Sequence, residues 1–321
     1  MSQDVTRKDG EGGPLSTYYG LPALKKPVWK PYIPAYFYAG GVAGACAALA
    51  AAAQLFGGAR FRRLVCRARW IAAGGAVLSG AFLIIDLGRP SRFLYMLRVF
   101  RPTSPMNLGT WLLASFGGTS AAAAIFGWPV AGVTAGLLGL PLTTYTAVLL
   151  GNTAVPVWNG ARRTMPLLFA ASAVSSAASL LELLPARPSE RRLIHRLALA
   201  GKVAELAGAG ALERELASRG PGPVQAPLRL GASGGLWRAA KVVTAASAVL
   251  ELFPNRRHHR IAAGVAGTVG ALFLRFALLA AGRASTMNPK ATFEPQRARV
   301  AARRETAAGA QPVRSSAAPA E

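Results

Sequence analysis

Eight long apolar runs set the limits on what this chain can fold into. They fall at roughly residues 33–56, 70–88, 107–126, 128–150, 164–184, 193–213, 234–253 and 259–281. Each is close to the ~20 residues that a helix needs to cross a bilayer. Hydrocarbon offers no partner for backbone N–H and C=O groups, so runs of this length must be helical. The chain therefore reads as all-α: an integral membrane bundle of eight transmembrane helices, which can be arranged as two four-helix bundles. Only Gly127-Trp128-Pro129 separates the third run from the fourth, which predicts a tight hairpin with an interfacial tryptophan. Gly220-Pro221-Gly222-Pro223 marks a loop between the sixth and seventh. Three regions follow: a polar N-terminal segment over 1–32, the eight-helix domain over 33–283, and a basic tail over 284–321 whose composition predicts disorder. The first run begins near Ile33, behind Lys25, Lys26 and Lys30, too far in for an ordinary cleavable signal.

Charge narrows the class further. Charged residues make up 16% of the chain, against about 25% in a typical soluble domain. Basic residues outnumber acidic ones 37 to 13 and sit mostly between the apolar runs, as suits loops facing anionic headgroups. With only 8% aromatics there is no basic, base-stacking face, so nucleic acid is excluded as a partner. Cys46 and Cys66 have no CxxC spacing; they can neither hold an iron–sulfur cluster nor build a disulfide scaffold. The three histidines are His195, His258 and His259, and no pair of them can face each other across helices as haem ligands. No haem, cluster or metal site is expected in this chain.

The segment Asp86-Leu87-Gly88-Arg89-Pro90-Ser91-Arg92-Phe93 closes the second run. Ionisable groups at that depth are costly, which makes them functional candidates. With eight spans, the starts of odd helices share a face with the ends of even ones. Tyr36, Asp86 and Tyr145 thus come to one face, together with Arg89, the rest of the loop to Asn107, and Asn152. Their chemistry suits a quinone: phenols can donate to carbonyls, a carboxylate can accept protons, and a flat ring fits between helices. The alternative is that Asp86 pairs with Arg89 or Arg92 at the helix–loop junction, with both tyrosines in an interfacial belt.

A second polar set lies deeper. Lys202 and Glu205, three residues apart, share a helix face. Arg275 is midway along the eighth run, while Glu182 and His195 lie towards the face opposite Asp86. Two readings stand: a structural cluster of Lys202, Glu205 and Arg275, or a proton path from His195 and Glu182 through these groups towards Asp86. Leu181-Glu182-Leu183-Leu184-Pro185 and Leu250-Glu251-Leu252-Phe253-Pro254 echo one another, each closing a helix before an arginine-rich turn, as a duplication would leave them. The loop arginines divide too evenly between the faces to orient the chain.

Asp86-Leu87-Gly88-Arg89-Pro90, followed by Ser104-Pro105-Met106-Asn107-Leu108-Gly109-Thr110-Trp111, and flanked by Tyr36-Phe37-Tyr38-Ala39-Gly40-Gly41 and Tyr145-Thr146-Ala147-Val148-Leu149-Leu150, resembles the NrfD/polysulfide reductase membrane-subunit family. The resemblance extends over residues 16–285. It implies a haem-free, multi-pass subunit of a bacterial inner membrane that binds menaquinone or ubiquinone. It also implies an iron–sulfur electron-transfer subunit and a molybdopterin or multihaem catalytic subunit as partners. The family's quinone-pocket aspartate and tyrosine correspond to Asp86 and Tyr145, and its topology puts their face outside the cytoplasm. The expected function is electron exchange between the quinone pool and the iron–sulfur partner. The alternatives are a non-catalytic anchor for that enzyme, or an ion or solute transporter, for which the Gly/Pro-broken helix pairs of transporters are not obvious.

Overall fold

The computed structural model describes residues 24, 29–87, 89, 91–218, 222–253, 257–288, 291 and 293. They are helical almost throughout, with no strand among the described residues. Each of the eight apolar runs forms a helix. These are α1 (Tyr32–Phe56), α2 (Arg62–Asp86), α4 (Pro105–Ile125), α5 (Pro129–Gly151), α7 (Met165–Glu182), α8 (Pro188–Ser218), α10 (Gly231–Glu251) and α11 (Arg257–Thr286). Shorter helices α3 (Ser91–Arg98), α6 (Pro156–Gly160) and α9 (Ala226–Arg229) occupy stretches expected as loop. Proline at the first turn starts α4, α5, α6 and α7, where the missing N–H costs nothing. Ser104 caps α4 by accepting from the Asn107 amide at 3.5 Å.

Six of the long helices are apolar enough to cross a membrane: α1, α2 with the turn before it, α4, α5, α7 and α11. The eight spans expected from sequence are thus reduced to six by this measure. In α8 the apolar stretch between Arg196 and Glu213 still contains Lys202 and Glu205, and α10 carries Arg238, Lys241 and Glu251. Much of the basic tail expected over 284–321, and the polar segment before Leu24, lie outside the described residues; α11 itself continues to Thr286.

The helices pack as two groups of four. α1, α2, α4 and α5 form one bundle; α7, α8, α10 and α11 form the other; α1 and α5 meet α7, and α1 meets α11, along the seam. Small residues set the spacing. At the α1–α5 crossing, a Cβ on Gly139 would meet the backbone of Gly44, and the reverse holds equally. Close approach of this kind is how membrane helices gain packing without a hydrophobic driving force. At the seam, the Phe37 and Phe169 rings meet at 6.3 Å. Trp158 of α6 is fully enclosed there; it stacks on Trp29 at 5.3 Å and donates its indole N–H to the Leu278 carbonyl at 2.8 Å. Large apolar side chains such as Trp70, Val77, Leu137, Leu140 and Val242 point outward, an arrangement that water would penalise and lipid would not.

Candidate functional site

Two polar assemblies lie at opposite ends of the helices. The first is at the end where α1 starts and α2 finishes. Asp86, half-buried at the last position of α2, accepts from the backbone N–H of Lys30 at 3.2 Å. That bond fixes the chain entering α1 to the chain leaving α2. Arg89 is exposed and makes no ion pair with Asp86 among the described residues. The side chain of Arg92, the other expected partner, lies outside them, as do Gly88 and Pro90.

Tyr36 is buried one turn into α1, its ring 5.5 Å from Phe37, and lies within electrostatic reach of Tyr145. Tyr145, half-buried on α5, donates its hydroxyl to the Pro105 carbonyl at the start of α4. Its ring lies flat against Gly109, where any Cβ would overlap it. The glycine of the S-P-M-x-x-G-x-W segment therefore seats a ring 36 residues away on the partner helix. One feature was not foreseen: the Tyr145 proton, expected to face a ligand carbonyl, is committed to Pro105. A second is Trp111, whose indole N–H is enclosed and has no partner, although its ring meets Phe100 edge-on at 6.1 Å. Asn107 closes the turn, donating to the Met96 and Val99 carbonyls at 2.8 Å each and accepting from the Arg101 amide.

The second assembly lies in the second bundle, towards the other end. Lys202 has no exposed surface, and its ammonium bonds directly to Glu251 and lies 3.9 Å from Glu182. His195 Nδ1 is 2.9 Å from the other Glu251 oxygen, and the imidazole reaches the surface with 27% of its side chain exposed. Glu251 is the residue that reasoning over charged pairs missed. The signal for it was the L-E-L-x-P echo, because the two echoing glutamates, Glu182 and Glu251, converge on one lysine. Gly267 of α11 leaves room for the Lys202 stem. Glu182, His195 and Glu251 offer three ligand atoms within 4.8 Å of one another, the spacing of a cation site. The Lys202 ammonium supplies the positive charge there.

One turn further in, Glu205 is buried and has no hydrogen-bond partner on either oxygen; Arg275, Ser175, Ser172 and Lys202 surround it. The Arg275 guanidinium lies over the Phe169 ring at 3.7 Å and donates to the Phe169 carbonyl at 3.2 Å. Beyond it, Tyr38 and Thr268 face each other near Arg275. The hydroxyls of Tyr38, Thr268, Ser172, Ser175, Ser179 and Thr244 are all enclosed; Tyr38 faces Thr268, and Ser172 and Ser175 face Glu205, yet none makes a hydrogen bond of good geometry. Buried polar atoms normally find one. A row of unsatisfied hydroxyls beside a carboxylate and a guanidinium is a place where ordered water would be held.

The comparisons with known proteins cover less than the resemblance read over residues 16–285. Tyr145 and the whole second bundle lie beyond the part that matches, and no curated protein matches the chain. What does match is the family model described as Polysulphide reductase, NrfD, over residues 22–132, the segment that holds Tyr36, Asp86 and Arg89.

Proposed function

We propose that the chain is the quinone-reactive membrane subunit of an oxidoreductase complex in a bacterial inner membrane. It would exchange electrons between menaquinone or ubiquinone and a partner iron–sulfur protein, which in turn serves a molybdopterin or multihaem catalytic subunit. The observation that carries this reading is the family match over the very helices that gather Asp86 and Tyr36 at one end of the bundle. In this reading α8 and α10 also cross the membrane, because Lys202 and Glu251 pair inside the second bundle rather than facing lipid, and Lys241 pairs with Glu213 at a partly exposed position.

The residues at the Asp86 end fit a quinone. A quinone supplies two-electron chemistry coupled to proton exchange at its two carbonyl oxygens. Asp86 sits at a helix end, with α1 and α2 on one side and the exposed Arg89 nearby in the chain, so it would take a proton from a bound quinol and release it to the surface. Tyr36 and the Tyr145 ring would hold the flat face, and Tyr145 could donate to a carbonyl oxygen once its hydroxyl leaves Pro105. The polar row from His195 through Glu251, Glu182, Lys202, Glu205 and Arg275 supports a proton path leading inward from the opposite end.

Asp86→Asn with Tyr145→Phe should abolish quinol-linked turnover while the complex stays assembled; undiminished quinol oxidation would overturn the site assignment. The second reading is a non-catalytic anchor, favoured by the Tyr145–Pro105 bond, which leaves that hydroxyl nothing to offer a ligand. Solvent extraction of the purified complex separates the two, since an anchor would yield neither bound nor competable quinone.

A further inference from the structure

A groove of about 590 Å³ runs along the seam between the two bundles, at the end opposite Asp86. Its floor is the last two turns of α1 and the first turns of α8, with Leu49, Phe56 and Leu197 along it. Its rim carries Arg60, Arg192 and Arg196. All three arginines are exposed, and none pairs with a carboxylate among the described residues. Arg60 lies 4.9 Å over the Phe61 ring, which holds its guanidinium at the groove mouth. The acid closest in sequence, Glu190, is buried and turned away: it accepts from the Leu64 amide at 2.9 Å and the Arg187 amide at 3.0 Å. The groove thus keeps three uncompensated positive charges at its mouth.

We infer that this groove binds one anionic phospholipid, with its phosphate held by Arg60, Arg192 and Arg196 and an acyl chain lying between α1 and α8. The order of chemistry along the groove matches that molecule. Cations stand at the helix ends, where headgroups lie, and apolar side chains continue towards the bilayer interior. Phe56 is 85% exposed at the groove edge, so the path from bulk lipid is open. Arginine forks suit phosphate oxygens better than a point charge does. The lipid would bridge a helix from each bundle, beside the Glu190 bond to Leu64 and the packing of Phe61 and Leu64 against Leu181 and Ile194. The inference needs only that the bundle lies in a membrane; it does not depend on quinone binding.

The test uses the full chain purified in neutral detergent. Dioleoylphosphatidylglycerol should raise the thermal midpoint and stay bound in native mass spectra through delipidation, whereas dioleoylphosphatidylcholine should do neither. Inorganic phosphate with phosphatidylcholine tests whether the anion alone suffices, and it should have no effect. Removing each arginine should weaken anionic-lipid retention by about fivefold, since one basic group near an anionic surface contributes that order. R60Q/R192Q/R196Q should therefore bind the two lipids alike, and R192Q alone should show the partial loss even if the triple variant is poorly folded. Equal retention of both lipids by the native chain, full stabilisation by phosphate alone, or an unchanged preference in R192Q would each overturn the assignment.

Discussion

Replacing Lys202 by methionine tests the deep cluster most sharply. The ammonium is fully enclosed, and so are its two carboxylate neighbours, with side-chain exposures of 1% for Glu251 and 4% for Glu182. The ammonium bonds one carboxyl group and lies 3.9 Å from the other, so it is the cation that both face. Desolvation of all three groups offsets much of the gross attraction. Removing one partner leaves that penalty uncompensated, and breaking a buried pair typically costs about 3–5 kcal/mol. At about 2–4 °C per kcal/mol, Lys202→Met should lower the midpoint in detergent by roughly 6–20 °C. The assay is thermal unfolding followed by helical circular dichroism, with single, double and triple variants side by side. Lys202→Met/Glu251→Gln should recover part of the loss, with a coupling of about 1–3 kcal/mol, because each change removes what the other leaves stranded. Lys202→Met/Glu182→Gln/Glu251→Gln should come closest to the native chain, since a neutral, well-packed replacement of a buried ion set is often harmless. A midpoint for Lys202→Met within about 2 °C of the native chain, or strictly additive losses in the double variant, would refute the cluster as an interacting unit.

Two further changes probe the packing that positions the candidate sites. Gly109→Ala should push the Tyr145 ring off α4 and separate its hydroxyl from Pro105, costing about 1–3 kcal/mol as overpacking. Tyr145→Phe should cost only about 0.5–1.5 kcal/mol for its single bond, so thermal melts of the two variants should differ in that order. Glu190→Gln keeps one acceptor oxygen for the two amides of Leu64 and Arg187; it should lower stability by about 1–3 kcal/mol and raise hydrogen exchange at the start of α2 first. Uniform exchange across α2 would argue against Glu190 as the tie between that helix and α8.

Much of the helix layout was legible because apolar runs this long admit one solution in lipid. The Gly127-Trp128-Pro129 turn and the prolines opening α4 and α5 marked boundaries within a few residues. Other features were not legible. Alanine and glycine are frequent in α8, so no periodic stripe distinguished the face that meets α7 from the face that meets α10. The short helices α3, α6 and α9 are fixed by contacts across the bundle, as Trp158 is by the Leu278 carbonyl, and such contacts leave no local pattern. Lys202 and Glu205 were correctly placed on one face, yet their main partners differ: Lys202 turns back to Glu251 and Glu182, and Glu205 lies towards Arg275. Lysine side chains in helices lean towards the N-terminus, which separates two residues that sequence spacing joins.

The repeated pentapeptide ties these observations together. α7 and α10 each end in Leu-Glu-Leu, and each returns through an arginine-bearing turn into the next long helix, α8 or α11. A duplicated helix hairpin placed about a local twofold axis would bring two equivalent glutamates to that axis. Two buried carboxylates there repel, and a single group between them must resolve the clash. Lys202 from α8 lies between them; the position at the same offset on α11 is Ala271, and Gly267 of that helix makes room for the lysine stem. Lys202 and Glu205 make α8 too polar to pass as a membrane helix when read alone. Lys202 is complementary to the glutamates that close α7 and α10, and the three helices have to be considered as one unit before its burial becomes favourable.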